Sequence, residues 1–401
     1  MMSRRQAVNL EGAKVTKEQR DREVNRPAEN PERSTRRGFA RTAVLGAAGL
    51  ATGGTGRLAN AAEGKRGPRS KTKIRIGARV NGSWMKSEND NDLRFLKQIG
   101  VDYVDITLDL IEGYAEHGEF TRKALKALVD RLGGLGLKIE RANSLGPFYL
   151  NAHLARTGGQ KEIDKLKRMA ELLVDFEIPV YGIQACQARL HLAKSSNRWI
   201  RRRGRGGYQY LHFDLDRVQS LGLKPKYKVT SDELWKGLLN IYRQVIPIVD
   251  GSKTRVAMHG NDPPLYDFVG SPQILCRFRD FDRLFSEVPS ANNGITFCCG
   301  TRYESGEDVL KGIEHFGKKK QLFHVHFRNV RGTLPDKRGY SEVFVDDGDM
   351  QMGQVVRALD AVGYDGVIDF DHPIGITGEG RLPKQYISFA VGYMRGLLHN
   401  L

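Results

Sequence analysis

Short apolar runs alternate with longer amphipathic stretches along the chain from Lys73 onward. An apolar run of about four to eight residues predicts a strand, and apolar residues three or four positions apart predict a helix. Eight strands are predicted in this way, at residues 73–79, 101–107, 137–143, 178–185, 254–259, 294–298, 321–327 and 366–371. Helices are predicted at residues 92–99, 121–132, 160–175, 231–249, 306–316 and 352–362.

Eight strand–helix repeats imply a parallel sheet, since strands joined through helices run in the same direction. At this length we expect the sheet to close into a (β/α)8 (TIM) barrel, a single α/β domain over residues 73–401. An open, doubly wound sheet is the alternative, but no G-x-G-x-x-G motif follows the first strand. The polar segment at about 186–230 is predicted to be a long loop insertion over the barrel mouth. Glycines typical of helix carboxyl-terminal caps precede predicted strands at Gly100, Gly136, Gly317 and Gly363.

The sequence pattern of the first 61 residues is typical of a leader segment. Residues 1–33 are polar and show no periodicity. They are followed by the run Ser34-Thr35-Arg36-Arg37-Gly38-Phe39-Ala40, an apolar stretch at 42–56 and the small-residue site Ala59-Asn60-Ala61. This order predicts a disordered leader with a twin-arginine signal peptide, recognised by the twin-arginine export machinery, and a periplasmic or otherwise extracytoplasmic location. A basic tail that contains an arginine pair by chance is the alternative.

Size and charge narrow the class of protein. The chain has 401 residues, of which 40% are hydrophobic, enough to bury a large core. Its formal net charge is +17; residues 1–61 hold 12 Lys and Arg against 6 Asp and Glu, a net of +6, which leaves +11 for the rest. A positive surface attracts nucleic acids or anionic substrates. The chain has no helix-turn-helix, zinc-finger or RNA-binding motif, so we predict no nucleic-acid partner.

The densest positive run lies in the predicted insertion and contains Arg198, Trp199, Arg201, Arg202, Arg203 and Arg205. A solvated loop is one interpretation of this run. A surface that captures acidic sugars or polysaccharides is the other.

Candidate metal ligands end four consecutive predicted strands, the fifth to the eighth. In barrels of this kind the active site lies at the carboxyl ends of the strands. The residues there are His259, the pair Cys298 and Cys299, His324 with His326, and Asp369 with Asp371. Because side chains alternate along a strand, His324 and His326 share one face, as do Asp369 and Asp371. Two His, one Cys and one Asp are therefore expected to converge, a set that suits Mn, Fe, Co or Zn. Taken singly, each has a structural role in a core as its alternative.

The same strand ends carry motifs of a known family. His259-Gly260-Asn261-Asp262-Pro263-Pro264 resembles H-P-D-D-P-P, and Gly294-Ile295-Thr296-Phe297-Cys298-Cys299-Gly300-Thr301 resembles G-L-T-x-C-x-G-S. His326-Phe327-Arg328-Asn329-Val330 matches H-[FL]-R-N-V, residues 346–350 resemble D-x-G-D-x-D-M, and residues 363–372 resemble G-Y-x-G…D-H. The chain thus resembles the mannonate dehydratase family of xylose-isomerase-like barrels, strongly over residues 254–397 and loosely over residues 73–253.

The resemblance implies a divalent metal held by His259, Cys298, His326 and Asp371. Mn²⁺ is expected, with Fe²⁺, Co²⁺ or Zn²⁺ as alternatives. The implied activity is that of a hydro-lyase, which removes water from D-mannonate to give 2-keto-3-deoxy-D-gluconate. We also predict a homo-oligomer.

Roles in this reaction can be assigned to further residues. Arg328 is predicted to pair with the substrate carboxylate through its planar fork, and Asn329 to orient a hydroxyl group. His372 is predicted to act as acid or base, since its titration range suits proton transfer, and Tyr386 as a second proton donor. Residues predicted to line the substrate are Arg79, Asn143 and Asp262. For Arg79 and Asn143 the alternative is a polar residue of the barrel mouth without a role.

Departures from the family motifs keep two other functions open. Gly260 and Asn261 replace the Pro and first Asp of H-P-D-D-P-P, and Ala142 replaces a Glu. These changes favour a metal-dependent sugar isomerase or epimerase on the same barrel, which moves protons without losing water. A non-catalytic, exported sugar-acid-binding protein that keeps its metal is the other alternative.

Overall fold

A computed structural model describes residues 72–184, 199–380 and 382–401. Its strands are β1 (Arg75–Val80), β2 (Tyr103–Thr107), β3 (Lys138–Asn143), β4 (Val180–Gln184), β5 (Trp199–Arg203), β6 (Gln209–Asp214), β7 (Arg255–His259), β8 (Asp267–Phe268), β9 (Ser271–Pro272), β10 (Asn293–Cys298), β11 (Leu322–His326), β12 (Val330–Arg331), β13 (Gly339–Glu342) and β14 (Val367–Asp369). Eight of them are parallel and close into a barrel in the order β1-β14-β11-β10-β7-β4-β3-β2. The predicted (β/α)8 barrel is therefore confirmed, and each predicted strand overlaps a barrel strand.

Helices follow the barrel strands and cover the outside of the barrel. Their bounds are α1 (Asn91–Gln98), α2 (Tyr114–His117), α3 (Arg122–Gly134), α4 (Leu150–His153), α5 (Gly159–Asp175), α6 (Leu215–Ser220), α7 (Ser231–Val249), α8 (Phe278–Glu287), α9 (Cys299–Glu304), α10 (Val309–Lys318), α11 (Leu334–Lys337), α12 (Met352–Ala361) and α13 (Lys384–His399). Within the described ranges, no helix is both long and apolar enough to cross a membrane.

Local sequence explains where the longer helices begin and which face they bury. Thr230 and Glu233 form a reciprocal capping box at the start of α7, which satisfies backbone N–H groups that the first turn leaves free. The buried residues of α5 recur at helical spacing, at Ile163, Leu166, Met169, Ala170 and Leu173. This stripe packs α5 on the barrel, because an apolar face gains free energy when it leaves water.

Three of the four predicted cap glycines have the left-handed backbone that such a cap requires. Gly100, Gly136 and Gly363 have φ of 81°, 74° and 70°. The prediction is wrong for Gly317, which lies inside α10; Lys320 takes the positive φ, 55°, after that helix. A side chain at Gly317 would meet Val362, 2.5 Å from its Cβ position, so this glycine serves close packing.

A second sheet, of order β12-β13-β6-β5, includes part of the segment predicted to be a loop insertion. Residues 199–214 form the antiparallel hairpin β5–β6, and β6 pairs with β13 through Gly339↔Asp214 and Tyr340↔Phe213. The loop prediction over 186–230 is thus wrong for residues 199–220, which form two strands and α6. The pairing partner is distant along the chain, so the local pattern does not reveal it. Residues 185–198 and the predicted leader at 1–61 lie outside the described residues.

Candidate metal centre and active site

A cavity of about 550 Å³ opens at the carboxyl ends of the barrel strands. The second sheet contributes Trp199, Leu211 and Glu342 to its wall. Six of the site residues predicted from the sequence line it, namely Arg79, Asn143, His259, Asp262, Asp371 and His372. The barrel therefore brings side chains from opposite sides of the sheet to one chamber.

The four predicted metal ligands lie close together, and two of them, His259 and Asp371, line this cavity. His259, Cys298 and His326 are buried, and each places one ligand atom within 4.8 Å of those of the other two. Asp371 adjoins them, with Oδ1 3.5 Å from His326 Nδ1 and Oδ2 4.0 Å from Cys298 Sγ. It lies two residues beyond the end of β14 in a left-handed conformation, φ 54°, and its backbone N–H donates to Asp369 Oδ1 (2.8 Å).

The hydrogen bonds around these residues fit a metal ion. His259 Nδ1 lies 2.7 Å from the carbonyl oxygen of Gly260 and donates to it, which leaves the lone pair of Nε2 free. Neither ring nitrogen of His326 has a hydrogen-bond partner among the described residues, although the ring is buried. A buried polar group without a partner is costly, and a metal bound by His326 removes that cost. The N, N, S donor set with an adjacent carboxylate suits a divalent transition metal.

Burial also sets the charge of the two imidazoles. Desolvation lowers the pKa of His259 to about 4, against the opposing effect of Asp371. Desolvation likewise lowers the pKa of His326 well below its ordinary value. Both rings are therefore neutral near pH 7, which is the form that ligates metals.

A second polar layer, the lower layer, lies deeper in the barrel than the upper layer, which consists of His259, Cys298, His326 and Asp371. His324 donates to Glu140 (2.8 Å) and to Asp369 (3.0 Å), and all three side chains are buried. Burial lowers the pKa of His324, but the two carboxylates outweigh burial and raise it to about 10. His324 belongs to a second compact group with Asp105, His326 and Asp369. Both ring nitrogens of His324 are already hydrogen-bonded, so this group is less suited to a metal than the group of His259, Cys298 and His326.

Asp105 lies between His326 of the upper layer and two arginines, Arg79 and Arg141. No sequence motif singles it out. Its carboxylate lies 2.8 Å from Arg141, 3.3 Å from Arg79 and 3.8 Å from His326 Nε2. It precedes Thr107, the last residue of β2, by two positions, so strand parity could have placed it on the inner face. Arg79 also forms an ion pair with Asp371, and its side chain is 20% exposed to the cavity.

Arg328 is enclosed by acidic side chains, contrary to its predicted place as the receptor of a substrate carboxylate. Its side chain is 3% exposed and does not line the cavity. The surrounding carboxylates are those of Glu304 (3.0 Å), Glu342 (3.2 Å), Asp262 (3.3 Å) and Asp371 (3.4 Å). Arg328 Nη2 also lies 3.6 Å from Cys298 Sγ. Its contacts therefore orient the acidic side chains around the candidate metal ligands, and its burial keeps it out of the cavity wall. Glu304 and Glu342 follow no motif in the sequence, and only the fold reveals them.

The side-chain amide of Asn329 is hydrogen-bonded to backbone groups and does not face the cavity. Its Nδ2 donates to the carbonyl oxygens of Val345 (3.0 Å) and Met350 (3.1 Å), and its Oδ1 accepts from the N–H of Val330 (3.0 Å). This network fixes the loop after β11 and uses the groups that were predicted to orient a hydroxyl. Of the predicted substrate residues, Asn143 and Asp262 do face the cavity. Burial raises the pKa of Asp262, but Arg328 and His372 outweigh burial and lower it.

His372 and Glu342 form a pair in the cavity wall. His372 Nδ1 lies 3.1 Å from Glu342 Oε1, Nε2 lies 3.6 Å from Asp371 Oδ2, and the side chain is 39% exposed. Burial lowers the pKa of His372, but Asp371 and Glu342 outweigh burial and raise it to about 9. Tyr386, predicted as a second proton donor, is buried behind this wall, with its ring 4.9 Å from that of Phe344 and 6.3 Å from that of Phe370.

The departures from the family motifs lie outside the cavity wall. A Cβ at Gly260 would lie 2.9 Å from the carbonyl oxygen of Leu275, so a side chain does not fit there. Asn261 Oδ1 accepts from the backbone N–H of Leu275 (3.0 Å), and Ala142 is fully buried in the core. These positions serve packing, so they give no support to a different reaction.

The closed parallel barrel, with candidate metal ligands at its strand ends, defines the class of protein as a (β/α)8 barrel. The structure is similar to mannonate dehydratase from Streptococcus suis serotype 2, with a TM-score of 0.67 and 19% identity, covering 82% of this chain and 93% of that chain. It is also similar to a xylose isomerase domain protein from Alicyclobacillus acidocaldarius, with a TM-score of 0.53 and 14% identity, covering 80% and 98%. At these identities the likeness establishes the fold.

Sequence comparison adds a family match for part of the chain. Residues 211–401 match the family model of D-mannonate dehydratase. Mannonate dehydratase of Enterococcus faecalis is 31% identical over 199 residues, which is 48% of this chain and 54% of that protein. Mannonate dehydratase 2 of Halalkalibacterium halodurans is 29% identical over 157 residues, 39% of this chain and 45% of that protein. The chain therefore spans about half the length of the curated relatives it matches.

Proposed function

We propose that this protein is a metal-dependent dehydratase that converts D-mannonate to 2-keto-3-deoxy-D-gluconate. The observation that carries the proposal is the cluster of His259, Cys298, His326 and Asp371. Two of its members, His259 and Asp371, line a cavity whose wall also contains Arg79 and His372. This arrangement combines a candidate metal site with a guanidinium group, that of Arg79, and a candidate proton donor, His372. The family match over residues 211–401 and the names of the relatives support the same reaction.

We propose Mn²⁺ as the metal, with Fe²⁺, Co²⁺ and Zn²⁺ as the ions to compare. A divalent metal at His259, Cys298, His326 and Asp371 would act as a Lewis acid toward the substrate carboxylate and its 2-hydroxyl group. The protein holds these ligands ready, since Gly260 fixes the tautomer of His259 and Arg328 approaches the Cys298 sulfur. Preorganised ligands need no rearrangement during the reaction.

We assign the substrate carboxylate to Arg79 in place of Arg328. Both arginines pair with carboxylates, but Arg79 lines the cavity with its side chain 20% exposed, whereas Arg328 is 3% exposed and does not line it. A guanidinium group can bind a carboxylate through two parallel hydrogen bonds, which fixes its orientation. Asn143 and Asp262, also in the cavity wall, are placed to contact the hydroxyl groups.

We assign proton transfer to His372. The reaction removes a proton from C2 and a hydroxyl group from C3, so the leaving hydroxyl must gain a proton. His372 is the imidazole in the cavity wall that has a carboxylate, Glu342, on one nitrogen and an exposed edge toward the chamber. Glu342 orients the ring and favours its protonated form, which suits a general acid.

The test is direct observation of the product. Purified protein loaded with Mn²⁺ is incubated with D-mannonate in D2O, and proton NMR follows the C3 methylene signal of the 2-keto-3-deoxy product. We expect the signal in the wild type and its loss in Cys298→Ala and His372→Ala. Exchange of the C2 proton without loss of water would assign the protein to the isomerases and epimerases. Inertness of the metal-loaded protein toward a panel of sugar acids would indicate a binding protein.

We further propose that residues 1–61 direct export through the twin-arginine pathway. The support is the Arg36-Arg37 pair, the apolar stretch at 42–56 and the Ala59-Asn60-Ala61 site. Replacement of both arginines by lysine is expected to leave the protein in the cytoplasm, which cell fractionation measures. Appearance of the variant outside the cytoplasm at the wild-type level would contradict this. Assembly into a homo-oligomer stays a prediction, for which light scattering is the measurement.

A further inference from the structure

The hairpin β5–β6 forms part of the cavity rim. Trp199, the first residue of β5, and Leu211 of β6 both line the cavity. Leu211 pairs directly with Arg201, and Trp199 pairs with Phe213. Directly opposed residues of an antiparallel pair project to the same face, as do residues two apart on one strand. Arg201 therefore shares the face of Trp199 and Leu211, next to the cavity, and Arg203 follows about 7 Å farther out.

The three arginines of β5 are exposed, and their charges are not neutralised locally. Among the described residues, no carboxylate lies within 4 Å of the guanidinium groups of Arg201, Arg202 or Arg203. Arginines close by are paired: Arg205 binds Asp346 through two hydrogen bonds of 2.6 and 2.8 Å, and Arg331 lies 3.0 Å from Asp347. Among the described residues of the second sheet, the arginines without a carboxylate partner are therefore those of β5.

The strand that carries these charges has a fixed position. The Trp199 ring packs edge-on against Phe213 and Tyr340, with centroids 5.8 Å away in each case. The Arg205–Asp346 pair ties down the turn between the two strands. Arg201 is therefore held at the rim by its strand and does not sit on a free loop, so a ligand that binds it does not have to order the backbone.

We propose that Arg201, with Arg203 beyond it, forms an outer anion subsite that binds the carboxylate of a second sugar-acid unit while the first unit occupies the cavity. The ligand class is an acidic oligosaccharide, such as an oligouronide. A guanidinium group pairs with a carboxylate through a planar fork, and Trp199 supplies an apolar wall between the cavity and Arg201. The inference rests on the proposed function for the nature of the ligand, a sugar acid.

Arg202 offers a matched control on the same strand. It pairs with Tyr210, so it projects to the face of β5–β6 opposite to that of Arg201. His212, two residues from Tyr210 on that face, has a pKa lowered by burial and then by the charge of Arg202. Replacement of Arg202 changes the net charge as much as replacement of Arg201 does, but on the other side of the hairpin.

The experiment compares trigalacturonate whose reducing end has been oxidised to the open-chain aldonate with the matching monomer, D-galactonate, by isothermal titration calorimetry on the full chain loaded with Mn²⁺. For the wild type we expect the trimer to bind at least about 10-fold more tightly than the monomer, because only the trimer reaches the outer subsite. Arg201→Gln is expected to remove this advantage and to leave monomer binding unchanged. Arg202→Gln is expected to keep it, and Arg201→Lys to keep part of it. Thermal unfolding checks that each variant is folded.

Two results would overturn the subsite: equal or absent binding of trimer and monomer to the wild type, or the same loss in Arg202→Gln as in Arg201→Gln. The second result would mean that a general positive field attracts the trimer. Binding is measured without turnover, so it is separate from the test of the proposed function. Dehydration of D-mannonate together with equal binding of trimer and monomer would contradict only the subsite proposal. Tighter binding of the trimer that depends on Arg201, in a protein without dehydratase activity, would contradict only the proposed reaction.

Discussion

His324 and His326 are two residues apart on one strand and share one face, yet their surroundings are opposite. His324 donates to Glu140 and Asp369 and is held as a cation. His326 is equally buried but has no hydrogen-bond partner among the described residues. The hydrogen-bonding groups of His324 in the lower layer are thus paired within the protein, whereas the ring nitrogens of His326 in the upper layer are available to a metal. The comparison teaches that hydrogen bonding, and not residue type or burial, separates a structural histidine from a ligand.

The largest expected effect is on stability, from the lower layer. His324→Ala leaves the carboxylates of Glu140 and Asp369 buried without their cation, which costs about 3–5 kcal/mol of the free energy of unfolding. Urea denaturation of the metal-free protein measures it. His315→Ala is the control, because His315 makes a similar contact with Asp282, 2.8 Å, on a half-exposed surface. That pair is worth about 0–1 kcal/mol. Equal losses in the two variants would show that the lower layer is not a structural unit.

The next effect is on metal affinity, from the upper layer. His326→Ala removes a ligand, so the affinity for Mn²⁺ is expected to fall by more than about 100-fold, since loss of an outer-shell partner alone costs about 10–100-fold. The metal-free variant loses no hydrogen bond and should be destabilised less than His324→Ala. Equilibrium dialysis measures binding, and Glu140→Gln, in the lower layer, is the control. A metal affinity that is unchanged in His326→Ala would exclude this ligand set.

Sequence pattern was sufficient for the barrel because its strands are buried on both faces. Such strands are near-continuous apolar runs, and each is followed by a helix with one apolar stripe. Strand ends then placed His259, Cys298, His326 and Asp371 at one mouth, since the barrel aligns the carboxyl ends of all strands. Both inferences use information that is local in the chain, together with one rule of topology.

Contacts between distant segments could not be predicted in this way. The hairpin β5–β6 pairs with β13, more than a hundred residues later in the chain, and its exposed arginines resemble a solvated loop. Arg328 has the charge of a substrate receptor, but Glu304 and Glu342 reach it from other elements and enclose it. Similarly, nothing local indicates that Asn329 is used up by the backbone of Val345 and Met350. The chemistry of a residue is visible in the sequence, whereas its partners are not.

A smaller effect is expected at Arg79, which lines the cavity and pairs with Asp371. Arg79→Gln should raise the KM for D-mannonate by about 10–100-fold, since hydrogen bonds to charged groups contribute about 1.5–3 kcal/mol. Steady-state kinetics with the Mn²⁺-loaded protein measures it. Arg75→Gln is the control, because Arg75 lies at the opposite end of the same strand. If both changes leave KM unaltered, the substrate carboxylate binds elsewhere.

The smallest effect is a difference in pH dependence between the two layers of the metal-free protein. The folded-state pKa of His324, about 10, is above the unfolded value of about 6.5, so its contribution to stability is complete below pH 6.5 and is lost as pH rises through 10. The pKa of His259, about 4, is below that value, so its contribution is present above pH 6.5 and is lost as pH falls through 4. Denaturant unfolding with a chelator, from pH 4 to 10, should therefore show a shallower acid limb in His259→Gln and a shallower alkaline limb in His324→Ala. Changes of both variants on the same limb would mean that the two layers do not differ in charge.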